Sequence, residues 1–285
     1  MYPSKFDYHR PSSVEEAVQI LSSNPDAKVL AGGHSLIPVM KLRLAAPAAL
    51  VDIGRIGALQ GISRSNGSLR IGACVTYNEI ANSADVQAAA PALAEAAGQI
   101  GDRQVRYRGT IGGNLSHADP ASDLPAAALA LGATLHVTGT GGSRSVSASD
   151  FFVDLMMTAL QPDEILTGVE VPVAQAGTGS AYAKWEHPAS GYALCGAAAV
   201  VTRGAGGNCT SASLCFNGVS STAVAATGVA AGLVGSDLSD AAIDSAVGNL
   251  SIPDATGDMF ASAGYRQELA KVMGARALRT ARDRA

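Results

Sequence analysis

The chain has 285 residues, 47% of them hydrophobic and 15% charged, which excludes intrinsic disorder and supplies core for about two domains. Its net charge of −4 argues against a nucleic-acid or anionic-membrane binder. No apolar run reaches the roughly 18 residues of a membrane span, and Met1-Tyr2-Pro3-Ser4-Lys5-Phe6-Asp7 lacks the apolar stretch of a secretion signal, so that export route is not expected.

The first predicted element is a helix opening at Ser12-Ser13-Val14-Glu15-Glu16. A serine caps it, and a glutamate sits three residues on. Val14, Ala17, Val18 and Leu21 share one face, and Asn24-Pro25-Asp26 ends the helix. A short strand over 28–31 leads into Gly32-Gly33-His34-Ser35, followed by a helix over 36–44 with Pro38 in its first turn. A strand follows over 50–53. Residues 62–72 form a hairpin turning at Ser65-Asn66-Gly67. Thr76-Tyr77-Asn78-Glu79 is a second capping box.

An alanine-rich helix occupies 91–100. Asp123 caps a helix over 124–131 with Pro125 in its first turn. Strands are expected over 134–138 and 165–171, the latter ended by Pro172. Gly177-Thr178-Gly179-Ser180 reads as the linker. Beyond it come strands over 181–185, 193–202 and 211–216, then helices over 223–233, 241–250 and 265–281. The basic residues of the last helix suit the negative end of its dipole.

Cys74, Cys195, Cys209 and Cys215 show no C-x-x-C pair and no ferredoxin spacing. They read as buried thiols, so the chain itself is expected to hold neither an iron–sulfur cluster nor zinc. His117 and Asp119 lack nearby partners for a metal site.

Chemistry concentrates in two glycine pairs. Ala31-Gly32-Gly33-His34-Ser35 lies between a strand and a helix, a geometry that aims free backbone N–H groups at an anion. Arg108-Gly109-Thr110-Ile111-Gly112-Gly113-Asn114 offers a second glycine loop with Thr110 and Asn114 as donors. Together they could clamp a pyrophosphate without the G-x-G-x-x-G fingerprint, which is absent. Asp119 or Asp123 could hydrogen-bond the hydroxyls of a ribose or ribityl chain.

These two segments, read on through His117-Ala118-Asp119-Pro120-Ala121-Ser122-Asp123-Leu124-Pro125, resemble the FAD-binding subunit of the molybdenum hydroxylases. The carbon monoxide dehydrogenase medium-chain form is the nearest, and the FAD domain of xanthine dehydrogenase is akin to it. The likeness continues at Phe151-Phe152, Pro162-Asp163-Glu164-Ile165-Leu166, Tyr182-Ala183-Lys184 and Pro188-Ala189-Ser190-Gly191-Tyr192-Ala193-Leu194. It implies an α+β fold. A vanillyl-alcohol-oxidase (PCMH)-type FAD module spans 1–178, with α/β lobes at about 1–53 and 54–178. A C-terminal α+β domain, a sheet with three helices, spans 179–285.

The resemblance further implies that Ala31, Gly32, Gly33, His34, Ser35, Thr110, Ile111, Gly112, Gly113 and Asn114 hold the FAD pyrophosphate and its surroundings. Asp123 would meet the sugar-like part of the flavin. Ile165 or Leu166 would pack beside the cofactor, Lys184 would contact it, and Tyr192 would stack on the isoalloxazine or serve as an ordinary interface or core tyrosine. No catalytic acid, base or nucleophile is expected on this chain, and no metal. A molybdopterin-binding large subunit and a small subunit with two [2Fe–2S] clusters are the implied partners, in a dimer of heterotrimers. Electrons would leave the flavin for a quinone, a cytochrome or NAD, with a quinone or other non-NAD acceptor favoured because no nicotinamide motif is present. The implied location is cytoplasmic, free or at the inner face of the membrane. Two alternatives stand beside this reading: a stand-alone FAD oxidoreductase, and a scaffold subunit that has lost its flavin.

Overall fold

A computed structural model describes residues 2–285. The first 53 residues build a small parallel sheet from β1 (Asp7–His9), β2 (Ala27–Leu30) and β3 (Ala49–Asp52), in the order β1-β3-β2. Helix α1 (Val14–Ser23) packs against it through Val14, Ala17, Val18 and Leu21, the predicted face. The Ser13 hydroxyl caps α1 by accepting the Glu16 N–H at 3.1 Å, and Ser12 donates twice to the Glu16 carboxylate. Helix α2 (Leu36–Lys41) stops three residues short of the predicted end. The chain there turns through Arg43 at φ +59°.

The next lobe is an antiparallel sheet with helices folded against it. Its elements are β4 (Ile62–Ser65), β5 (Ser68–Gly72), α3 (Tyr77–Asn82), α4 (Ala84–Ala89), α5 (Pro91–Gly98), α6 (Arg103–Arg106), α7 (Ile111–His117), α8 (Asp123–Ala130), β6 (Thr134–Gly139), β7 (Gly142–Ser147), α9 (Ala148–Phe151), β8 (Phe152–Asp154), β9 (Met157–Thr158) and β10 (Ile165–Pro172). The sheet order is β4-β5-β10-β6-β7. The β4–β5 hairpin turns at Asn66 (φ +49°) and Gly67 (φ +79°), the positive-φ pair such hairpins need. Leu69, Ile71, Leu93, Ile111, Leu115, Leu124 and Phe151 fill the core between sheet and helices.

The remaining residues form β11 (Thr178–Glu186), β12 (Ala193–Arg203), β13 (Cys209–Asn217) and β14 (Val224–Ala225), followed by α10 (Thr227–Leu233), α11 (Asp240–Gly248) and α12 (Ala263–Asp283). Period-two alternation divides this sheet between two cores. Ala197 and Ala199 face a core shared with Leu269, Met273 and Leu278 of α12, whereas Ala198, Tyr182 and Cys215 enter the core of the preceding lobe. The sheet is thus clasped on both faces.

Several expectations change. The glycine segment 110–114 is not a loop: α7 begins at Ile111, its turn closed by the Thr110 hydroxyl accepting the Gly113 N–H at 3.2 Å. Its two glycines lower intrinsic helix propensity, and the burial of Ile111 and Leu115 overrides that. The N-cap of α8 is Ser122, and Asp123 is the first helical residue. Helix α5 stops at Gly98, and the helix expected from residue 223 starts at Thr227, after the short strand β14. The segment read as a linker is mostly strand, since β11 already begins at Thr178.

Candidate functional site

A cavity of about 760 Å³ is lined by β2 and the turn after it, α7, the start of α8, β10 and the loop before β12. That size suits a small organic ligand. Among the described residues, the backbone N–H groups of Gly32, Gly33, His34 and Ser35 have no protein acceptor. The Ser35 hydroxyl makes no capping bond either. Gly33 stands at φ +73°, a conformation that side chains resist. A tight turn with successive free amides next to a helix start is an anion cradle. The His34 ring folds back, its Nδ1 3.1 Å from the Gly32 carbonyl.

Gly32 serves another purpose. A Cβ there would run into the Arg108 carbonyl, and one on Gly109 into the Tyr77 ring. The two glycine segments therefore cross in contact, which brings Gly113 to the edge of the cradle. A Cβ on Gly113 would lie 2.9 Å from Thr110 Oγ1 and 3.9 Å from the Ala31 Cβ.

The second segment does not repeat the free-amide pattern expected of it. Ile111 donates to the Val75 carbonyl at 3.0 Å, Gly112 to the Ala73 carbonyl at 2.8 Å, and Gly113 to Thr110. Thr110, Gly112, Gly113 and Asn114 line the cavity, while Ile111 is wholly buried in the core and does not. Asn114 is held at both ends: its Nδ2 donates to Tyr77 Oη at 3.0 Å, and its Oδ1 accepts from Ser122 at 2.7 Å. Its remaining N–H is the group left for a ligand.

Asp123 supplies a buried carboxylate to the cavity lining. Tyr182 Oη donates to Oδ1 at 2.6 Å, and Lys184 Nζ donates to Oδ2 at 3.1 Å. Burial pushes the Asp123 carboxyl up to about 6, against the opposing pull of Lys184 and Tyr182. The family resemblance leads one to expect Lys184 in contact with the cofactor. Its side chain is 1% exposed, its ammonium also donates to the Gln99 carbonyl at 3.0 Å, and it does not line the cavity. It stands behind the carboxylate.

Ile165 and Leu166 of β10 are buried and give the cavity an apolar wall. Tyr192, 51% exposed, also lines the cavity beside Gly191, which turns at φ +71°. Asp119 and His117 also line the cavity; Asp119 Oδ1 accepts the Ala121 N–H at 2.9 Å.

Three residues of this site escape sequence reasoning. Tyr182 could have been found, because it lies two residues from Lys184 on the same strand face. Tyr77 and Asn217 carry no local signal: each meets its partner across 35 or more residues of chain.

The donor set fits a dinucleotide with a flat ring system. Free amides and a hydroxyl suit phosphate oxygens, a buried carboxylate suits sugar hydroxyls, and aliphatic and aromatic surfaces suit rings.

Comparison with known proteins leads to the same chemistry. The family described as the FAD binding domain in molybdopterin dehydrogenase matches residues 4–174, and the CO dehydrogenase flavoprotein C-terminal domain matches residues 180–281. The carbon monoxide dehydrogenase medium chain of Afipia carboxidovorans is 42% identical, covering 100% of this chain and 99% of that one. The glyceraldehyde dehydrogenase medium chain of Sulfolobus acidocaldarius is 36% identical over 98% and 99%. Among solved structures, a cyanide-inactivated Cu,Mo-CO dehydrogenase superposes with a TM-score of 0.94 at 41% identity, each chain covered in full. Quinoline 2-oxidoreductase from Pseudomonas putida 86 gives 0.92 at 32% identity, over 100% and 99%. The fold is the PCMH-type flavin module with its C-terminal companion domain. The chain belongs to the FAD-binding medium subunits of the CO dehydrogenase-type molybdenum hydroxylases.

Proposed function

We propose that this chain is the flavin-bearing relay of a heteromeric molybdenum hydroxylase, with its FAD in the 760 Å³ cavity. The observation that carries this reading is the row of four unpaired amides at residues 32–35, which shares one cavity lining with a buried carboxylate. In the proposed site the amides of Gly32, Gly33, His34 and Ser35 bind the pyrophosphate, with Thr110 and Asn114 closing on it. Asp123 accepts from the hydroxylated chain. Leu166, Ile165 and Tyr192 pack the rings and exclude water.

Bound FAD supplies exchange between one-electron and two-electron chemistry. The protein's share is to bind, orient and shield; none of its side chains is assigned a covalent or acid–base step. Substrate oxidation falls to a molybdopterin-binding large subunit, and a small subunit with [2Fe–2S] clusters delivers electrons. An external quinone, cytochrome or NAD then receives them, and the assembly is a dimer of heterotrimers. Among the described residues no helix is long and apolar enough to cross a membrane. The proposed location is the cytoplasm, free or at the inner membrane face. The domain division falls near residue 178, between the extents of the two family matches.

Native purification tests this reading. Flavin absorbance together with iron–sulfur absorbance and two partner chains supports the relay. A flavoprotein purified alone favours the stand-alone oxidoreductase, and a colourless chain that takes up no FAD favours the scaffold.

A further inference from the structure

The most unusual feature outside the ligand-facing surface is a buried polar node contributed by the C-terminal sheet. Tyr182 of β11 is buried, and its hydroxyl lies 2.6 Å from Asp123 Oδ1 and 3.0 Å from Asn217 Oδ1 of β13. Asn217 is wholly buried, and its Nδ2 has no partner. Between them Gly196 of β12 leaves the space free, because a Cβ there would strike both the Tyr182 hydroxyl and the Asn217 carbonyl. Three adjacent strands thus clear and furnish a pocket for a single phenol oxygen, at the cost of one orphaned amide. Simple packing does not call for such an arrangement, since a Phe in place of Tyr182 would fill the same space with no polar atom to satisfy.

We propose that Tyr182 is a positioning residue for the flavin site: with Lys184 it holds the Asp123 carboxylate ionised and oriented as an acceptor toward the cavity. The inference rests on the FAD reading above and on the place of Asp123 in it. A carboxylate holding two protein donors has lone pairs left for ligand hydroxyls. Removing the Tyr182 donor disfavours the ionised form.

The other groups facing the node are known. Among the described residues, Lys184 is the one cation in contact with the carboxylate. Tyr77 of α3 and Tyr192 of the loop before β12 are both held as neutral phenols, first by burial and in smaller part by the Asp123 charge. Asp119 adds negative charge near Tyr192, and Cys195 of β12 lies near Tyr182. Glu95 of α5 accepts the Tyr182 backbone N–H and pairs with Arg284. His117 shares the cavity wall.

The test compares FAD dissociation constants of the full-length wild-type chain and Tyr182→Phe, by flavin fluorescence quenching at pH 8 and pH 6. If losing one donor raises the Asp123 pKa by about one unit, the variant binds about fivefold more weakly at pH 6 and less than about twofold more weakly at pH 8. Gly196→Ala, which pushes on the same hydroxyl, gives the same pH-dependent loss and serves if Tyr182→Phe does not fold. Asp123→Asn abolishes the pH dependence. An equal loss at both pH values, or none, assigns Tyr182 to packing and overturns the proposal. Failure of the wild-type chain to bind FAD at either pH overturns the flavin reading itself, and the proposal with it.

Discussion

Each of the four paired glycines has its own reason to be glycine. Gly32 allows two segments to cross, Gly33 supplies a positive φ, Gly112 lies against Ala73, and Gly113 edges the cavity. Their mutational consequences therefore differ. Gly33→Val puts a β-branched residue at φ +73° and turns the amide row out of line. The variant is expected to fold and to purify without flavin, as read from its visible spectrum; full flavin occupancy would remove residues 32–35 from the pyrophosphate site. Lys184 makes a second prediction. In Lys184→Met the buried Asp123 loses the cation it pairs with, which costs about 3 kcal/mol at neutral pH. Asp123 titrates near 6, so it is charged above that pH and largely neutral below it. The stability gap to wild type should accordingly be wide at pH 7.5 and narrower at pH 5, measured by urea unfolding. A gap independent of pH would mean that the pair does not control the site's charge.

Among the elements, α7 is where local sequence and tertiary structure disagree. Thr110-Ile111-Gly112-Gly113-Asn114 offers a poor helix by propensity, yet the helix forms because Ile111 and Leu115 are buried and Thr110 caps it. Thr110→Ala should destabilise the chain by about 1 kcal/mol, and Thr110→Ser should restore most of that. Equal stability of all three proteins in urea would show that the cap is idle. The legible elements were those whose signals are local: the α1 face and caps, the Thr76–Glu79 capping box and the Asn66-Gly67 turn. Short pieces such as β1, α4, α6 and β8–β9 were not, since two to six residues carry too little periodicity. The site was legible where glycines and hydroxyls cluster in sequence. The node around Asp123 was not, because Tyr182 and Asn217 join it only through long-range folding.

At the scale of the whole molecule, the C-terminal sheet does more than cover the flavin module. Tyr182, Ala198 and Cys215 share the core of the preceding lobe. The Gly218 N–H donates to the Pro120 carbonyl at 2.7 Å, so the loop leading to Asp123 is anchored on the far sheet. Arg266 of α12 secures that edge, donating to the Leu194 and Gly218 carbonyls and to Asp258. A chain ending at residue 177 should therefore fail to hold FAD although it keeps every cradle amide. Titration of the flavin-free, full-length chain with FAD decides whether this cavity is the flavin site. Saturable uptake of a single FAD per chain is expected, lost in Gly33→Val. No uptake by the wild-type chain, or undiminished uptake by that variant, would refute the assignment.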